Sequence, residues 1–186
     1  MRKYLFAFAL FIYALSLKAQ TAPVKWATQE TFFEDLTGKK LPDFKGKTIK
    51  ALPFTSKSLK DQIVLINFWF EKCPPCIKEM PILNQLVSKY GGKGIRFIAI
   101  TNDPVLNARK FQQKAGYQYE VVCLTQAEIS NLNINHGFPT NVLVGQDGKI
   151  IYATANFSLS DELPEVKAKT ILFEEKLKAE ITKAKK

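Results

Sequence analysis

Cysteine and histidine are scarce in this chain, with three of the former and one of the latter among 186 residues. Three cysteines are too few for a disulfide scaffold, and a single pairing leaves one over. Cys73 and Cys76 are close together, whereas Cys123 and His136 are isolated, so the second ligand pair that a structural zinc site needs is missing. Long apolar runs are missing too. The stretch Tyr4–Leu17 has 14 residues, short of the roughly 20 that span a bilayer as a helix. No aromatic-interleaved basic patch accompanies the lysines, which argues against nucleic-acid binding. Internal repeats and low-complexity segments are lacking as well.

What is present is ordinary globular composition, 46% hydrophobic and 24% charged, in a length suited to one domain with a real core. The formal charge is +10, and removal of residues 1–19, with Arg2, Lys3 and Lys18, leaves +7. Much of that excess lies in the C-terminal stretch, where lysines alternate with Glu165, Glu174, Glu175 and Glu180, the pattern of a solvated surface. Arg2 and Lys3, the apolar core Tyr4–Leu17 and the small-residue site Leu17-Lys18-Ala19 read as a signal peptide over residues 1–19. No cysteine stands near that site to carry a lipid anchor, and the membrane is contacted only if the segment stays uncleaved. The mature chain is therefore expected outside the cytoplasm, periplasmic or otherwise, where disulfides persist. Residues 20–40 read as an N-terminal extension in which Trp26, Phe32, Phe33 and Leu36 form a short helix, followed by a domain over 41–186.

The centre of that domain is the stretch Ile63–Cys76. An apolar run of strand type, Ile63–Phe70, delivers two cysteines separated by Pro74 and Pro75 to a helix marked by Ile77, Met80, Leu83, Leu86 and Val87. A C-x-x-C on the first turn of a helix brings its Cα atoms to about 5–6 Å, within disulfide range. The helix N-terminus favours an anion there, so a thiolate at Cys73 is stabilised. The helix runs to about Tyr90, with a kink expected at Pro81. Strands are predicted at 45–49, 95–100, 119–124, 141–144 and 150–153. Helices are predicted at 104–115, with Val105, Leu106 and Phe111 as apolar positions, and at 126–132. A final helix carries Val166, Thr170, Phe173, Leu177 and Ile181 on one face. Pro53 and residues 55–60 read as a turn. Strands alternating with helices, closed by a hairpin and a helix, predict an α/β fold with a central mixed sheet flanked by helices on both faces.

Read from the residues alone, several positions keep two meanings. Cys73 and Cys76 could be a permanent disulfide, although so small a loop contributes little chain-entropy stabilisation. Glu79, one turn past Cys76, is either a solvated carboxylate or a proton partner for the inner thiol. Asn67 is a neutral polar group beneath the cysteines or a backbone hydrogen-bonder. Trp69 and Phe70 read as core or rim packing, Cys123 as a buried apolar residue, and His136 as a loop residue or part of a groove beside Pro139.

The order of Asn67-Phe68-Trp69, Cys73-Pro74-Pro75-Cys76, Glu79, Pro81 and Gly137-Phe138-Pro139-Thr140 resembles the thioredoxin fold. More narrowly it resembles the extracytoplasmic TlpA-like (ResA-like) thiol–disulfide oxidoreductases, over residues 41–184. The resemblance implies a redox-active Cys73–Cys76 pair, with Cys73 the exposed attacking cysteine and Cys76 the buried resolving one. It implies a cis Pro139 opposite them, with Phe138, Lys72 and Trp69 on the substrate-binding side. Glu79 matches an acidic residue that tunes the thiols. Lys72 departs from the aromatic that frequently precedes the first cysteine. Implied partners are proteins bearing disulfides or thiols, together with a membrane electron donor. No cofactor or metal is implied. The implied role is that of a reductant, in cytochrome c assembly or general thiol maintenance. A peroxidase of peroxiredoxin type would want threonine or serine where Phe70 stands. A copper(I) chaperone using Cys73, Cys76 and His136 is the alternative from a different class.

Overall fold

The computed structural model describes residues 33, 35–133 and 136–185, all within the compact unit Thr31–Lys186. The expected signal peptide and most of the expected helix with Trp26 and Phe32 lie outside the described residues. Leu36 is buried at a turn, its N–H donating to Phe33 O at 3.2 Å.

Among the described residues, seven strands form one mixed sheet: β1 (Lys45–Thr48), β2 (Pro53–Thr55), β3 (Ile63–Trp69), β4 (Ile95–Thr101), β5 (Glu120–Cys123), β6 (Thr140–Val144) and β7 (Ile150–Thr154), in the order β2-β1-β5-β4-β3-β6-β7. Strand β3 is central and buried along its whole length, which is why it reads as a continuous apolar run rather than an alternation. It pairs in parallel with β4 and antiparallel with β6, so that Asn67 sits opposite Ala99 on one side and Asn141 on the other.

Among the described residues, four α-helices cover the sheet: α1 (Pro74–Tyr90), α2 (Val105–Ala115), α3 (Gln126–Asn133) and α4 (Pro164–Lys183). Because side chains alternate along a strand, β3 feeds two cores. Ile63, Leu65 and Trp69 pack with Met80 and Leu83 of α1, Ala108 of α2, and Phe173 and Leu177 of α4. Val64, Ile66 and Phe68 pack on the other face with Ile129 and Leu132 of α3 and with Phe44, Phe54 and Leu59. The expected mixed sheet with helices on both faces is what forms.

Three expectations need correction. Residues 53–60 contain strand β2 and a short 3-10 turn at Ser56–Leu59, because Phe54 is buried and β2 pairs with β1. On α2 the buried position is Ala108, whereas Leu106 is 56% exposed. Pro104 is the residue before α2 rather than within its first turn, and Gly116 ends the helix in the left-handed conformation, φ 63°.

Candidate active site

Strand β3 ends at Trp69, and after three intervening residues Cys73 caps α1 with extended backbone. The connecting turn is held at both ends. Cys73 N–H donates to Phe70 O at 3.2 Å, and Glu71 N–H donates to Asp103 Oδ2 at 2.7 Å, beyond the end of β4. Pro74 and Pro75 open the helix where a missing N–H costs no intrahelical bond. They also remove two donors, leaving Cys76 N–H to point at Cys73 Sγ at 3.3 Å. Cys73 and Cys76 form a disulfide with Cα atoms 5.3 Å apart. The cysteine expected to be exposed is only 3% accessible, against 0% for Cys76, because its sulfur is turned inward to its partner and to the Cys76 N–H.

Pro139, buried at the start of β6, follows a cis peptide bond from Phe138. The half-buried Phe138 ring meets Phe70 edge-on at 5.2 Å, so the two loops flanking the site touch. Lys72 is exposed. Trp69, named as a substrate contact, is completely buried against Phe111 (5.1 Å) and Tyr117 (5.9 Å), so it supports the site from within the core. It lies on the inward face of β3, the same face as Leu65 and Ile63.

Glu79 is fully buried. Its carboxylate accepts from Asn67 Nδ2 at 2.7 Å, from Asn141 Nδ2 at 3.1 and 3.3 Å, and from the backbone N–H of Phe157 at 2.7 Å. Burial pushes its pKa up from 4.5 to about 7, even though these donors pull the other way. Asn67 in turn donates to Asn141 Oδ1 at 2.9 Å and accepts from the Tyr117 hydroxyl at 2.8 Å. One turn after the inner cysteine, a carboxyl group that changes charge near neutrality can take or give a proton. Asn141, Tyr117 and the Phe157 N–H are the members that sequence reasoning missed. Asn141 left one trace, a polar residue inside the apolar run of β6, directly across the sheet from Asn67.

The remaining candidates stand apart from this cluster. Cys123 is a free, half-buried thiol at the end of β5, pushed up to about 11 by burial and by the nearby Asp103 charge. His136 stacks on Phe33 at 4.9 Å, and burial lowers its imidazole to about 4. Among the described residues no three His, Cys, Asp or Glu side chains are grouped to hold a metal ion, so Cys73, Cys76 and His136 do not form the copper(I) arrangement.

The AhpC/TSA family profile matches residues 37–153. The chain belongs to that family. A thiol-disulfide oxidoreductase ResA from Bacillus thuringiensis (strain Al Hakam) is 32% identical over 115 residues, 61% of this chain and 66% of that protein. That match spans just under two thirds of the relative's length. Another ResA, from Geobacillus thermodenitrificans (strain NG80-2), is 30% identical over 143 residues, covering 75% of this chain and 74% of the relative. Within the AhpC/TSA family the chain therefore groups with the ResA-type thiol–disulfide oxidoreductases. The crystal structure of a candidate thiol:disulfide interchange protein DsbE from Chlorobium tepidum superposes with a TM-score of 0.67 at 24% identity. It covers 78% of this chain and 97% of that one, a likeness of thioredoxin-type fold.

Proposed function

We infer that this AhpC/TSA member is a thiol–disulfide oxidoreductase that works outside the cytoplasm as a reductant of protein disulfides. The observation that carries the reading is a Cys73–Cys76 disulfide capping α1 one turn before a buried carboxyl group of near-neutral pKa. In the dithiol form, the Cys73 thiolate attacks a substrate disulfide. A Cys73–substrate mixed disulfide forms and the first substrate sulfur leaves as thiolate. Cys76 then passes its proton to Glu79 and attacks Cys73 Sγ, which expels the second substrate sulfur and closes the Cys73–Cys76 bond. The substrate gains two electrons and this chain loses them. In the return step, as a donor thiol opens the disulfide, Glu79 hands the proton back to Cys76.

Pro139 and Phe138 border the pair, and the backbone of Phe138 is the edge along which an extended substrate segment would pair. Lys72 is the exposed charge beside Cys73. The apolar N-terminus with its basic start supports export. Resemblance to the TlpA-like group supports a role in cytochrome c assembly or in keeping other thiols reduced, with electrons drawn from a membrane donor. Phe70, in place of threonine or serine three residues before Cys73, disfavours peroxidase chemistry despite the AhpC/TSA profile.

The test is the reduction potential of the Cys73–Cys76 pair. A reductant falls near the thioredoxin value of about −270 mV, whereas a value close to about −120 mV, that of a strong oxidant, overturns the direction. For Glu79, the variant Glu79→Gln is expected to slow disulfide exchange roughly 10²-fold, the lower end of a general acid–base contribution. Unchanged rates and thiol titration would remove Glu79 from the mechanism.

A further inference from the structure

Glu79 is surrounded by donors, and their arrangement depends on which way one amide points. The two ends of an asparagine amide have nearly the same shape but opposite hydrogen-bonding character. With its NH2 toward Glu79, Asn67 stabilises the carboxylate. With its carbonyl turned there, it would repel the anion and accept a hydrogen bond from the neutral acid. The direction of this one side chain therefore biases the protonation state of the group beneath the cysteines.

Every polar atom of the Asn67 amide is engaged. Nδ2 donates to Glu79 Oε1 at 2.7 Å and to Asn141 Oδ1 at 2.9 Å, while Oδ1 accepts from Tyr117 Oη at 2.8 Å. Asn141 closes the ring by donating to both carboxylate oxygens, at 3.3 and 3.1 Å. The Tyr117 hydroxyl is buried, and burial holds its proton on well above the ordinary phenol range, so it is a donor throughout the working pH range. A buried O–H left without an acceptor is costly, and Asn67 Oδ1 is the acceptor it uses. The tyrosine thus keeps the carbonyl end on its own side and the NH2 end on the side of Glu79.

The geometry points to Tyr117 as a positioning residue that, through Asn67 and with Asn141, sets the proton affinity of Glu79 for thiol–disulfide exchange. This rests on Glu79 serving as the proton partner of Cys76. The titratable groups around Glu79 are Tyr117 and Tyr119, from the segment between α2 and β5, and Cys76 on its own helix. Strands β3 and β6 and the β7–α4 segment face it with the neutral Asn67 and Asn141 amides and the Phe157 N–H.

Tyr117→Phe deletes the donor and keeps the ring that stacks on Tyr119 at 5.0 Å. Asn67 Oδ1 then loses its partner, and turning it toward a protonated Glu79 becomes the better arrangement. The midpoint of the pH profile for reaction of the disulfide with dithiothreitol should move up by about half to one pH unit, the size expected from one hydrogen bond. The Glu79 carboxyl 13C resonance should report the same displacement. Against a Glu79→Gln background the profile should not move at all. A Tyr117→Phe profile that superimposes on the wild type, or one that shifts equally with and without Glu79, overturns the proposal. If Glu79→Gln alone leaves the profile untouched, the Glu79 reading falls first and this inference with it. Should the phenylalanine variant fail to fold, 3,5-difluorotyrosine placed at 117 keeps the hydroxyl and strengthens it as a donor. The midpoint should then move down, and no movement or an upward one counts against the proposal.

Discussion

A carboxyl group enclosed beneath a disulfide makes folding itself depend on pH. In the unfolded chain Glu79 releases its proton near the ordinary 4.5, whereas in the folded chain it holds on until about 7. Between those values the folded state binds more protons, so stability falls as pH rises through that window and levels off above it. The shift corresponds to roughly 3 kcal/mol at most. Denaturant midpoints measured from pH 4.5 to 8 should decline across the window in the wild type, and Glu79→Gln should flatten that component. Parallel curves for the two proteins would contradict the buried-acid account. Cys73, Cys76 and Glu79 could be picked out of the sequence because helical spacing puts them on one turn after another. Tyr117 and Asn141 could not, because Asn141 lies 62 residues from Glu79 and Tyr117 lies 50 from Asn67. Only the register of β6 against β3 and the path of the chain into β5 bring them together.

The strands around the site were legible where burial made them continuous and obscure where pairing alone defines them. Strand β3 is apolar at six of its positions and could be read directly, with Asn67 the exception that marks the site. Strand β2 has three residues and begins at a proline, so local sequence resembles a turn; its pairing with β1 and the burial of Phe54 make it a strand. Helix α2 differs, since the residue it buries is Ala108 rather than a large side chain. A close approach occurs at Gly46 on β1. A methyl group there would stand 2.7 Å from Cys123 O and 2.9 Å from Val122 Cγ1, where β1 passes β5. Gly46→Ala must therefore push the two strands apart, at a cost of roughly 1–3 kcal/mol. A denaturation curve should show that loss with the thiol chemistry unaltered, since β1 lies three strands from β3 in the sheet order. Wild-type stability in this variant would mean that β1 yields without cost.

Helix α4 reaches the site through the segment that holds Phe157, by an aromatic contact and by a hydrogen bond from Ser158 N–H to Thr170 Oγ1 at 3.0 Å. Helix α4 buries Phe173, Leu177 and Ile181 against the sheet, as its apolar face predicts. Phe173 also meets Phe157 edge-on at 4.8 Å, and the Phe157 N–H is a donor to Glu79 at 2.7 Å. The segment between β7 and α4 leaves the sheet at Thr154, which pairs with Asn141, and so at the end of the sheet where Pro139 and the disulfide lie. Packing on α4 thus holds one of the donors that stabilises the Glu79 carboxylate. Phe173→Ala should cost roughly 3–5 kcal/mol, as for other large aromatic deletions in cores. Its distinguishing effect is on the proton step. With the Phe157 N–H loosened, the carboxylate loses a donor and the pH midpoint of exchange should rise. Leu177→Ala, one turn farther along α4, should lower stability by roughly 2–5 kcal/mol and leave the midpoint where it is. Equal midpoint shifts in the two variants would mean that general loosening of the core, and not the Phe157 contact, connects the last helix to the cysteines.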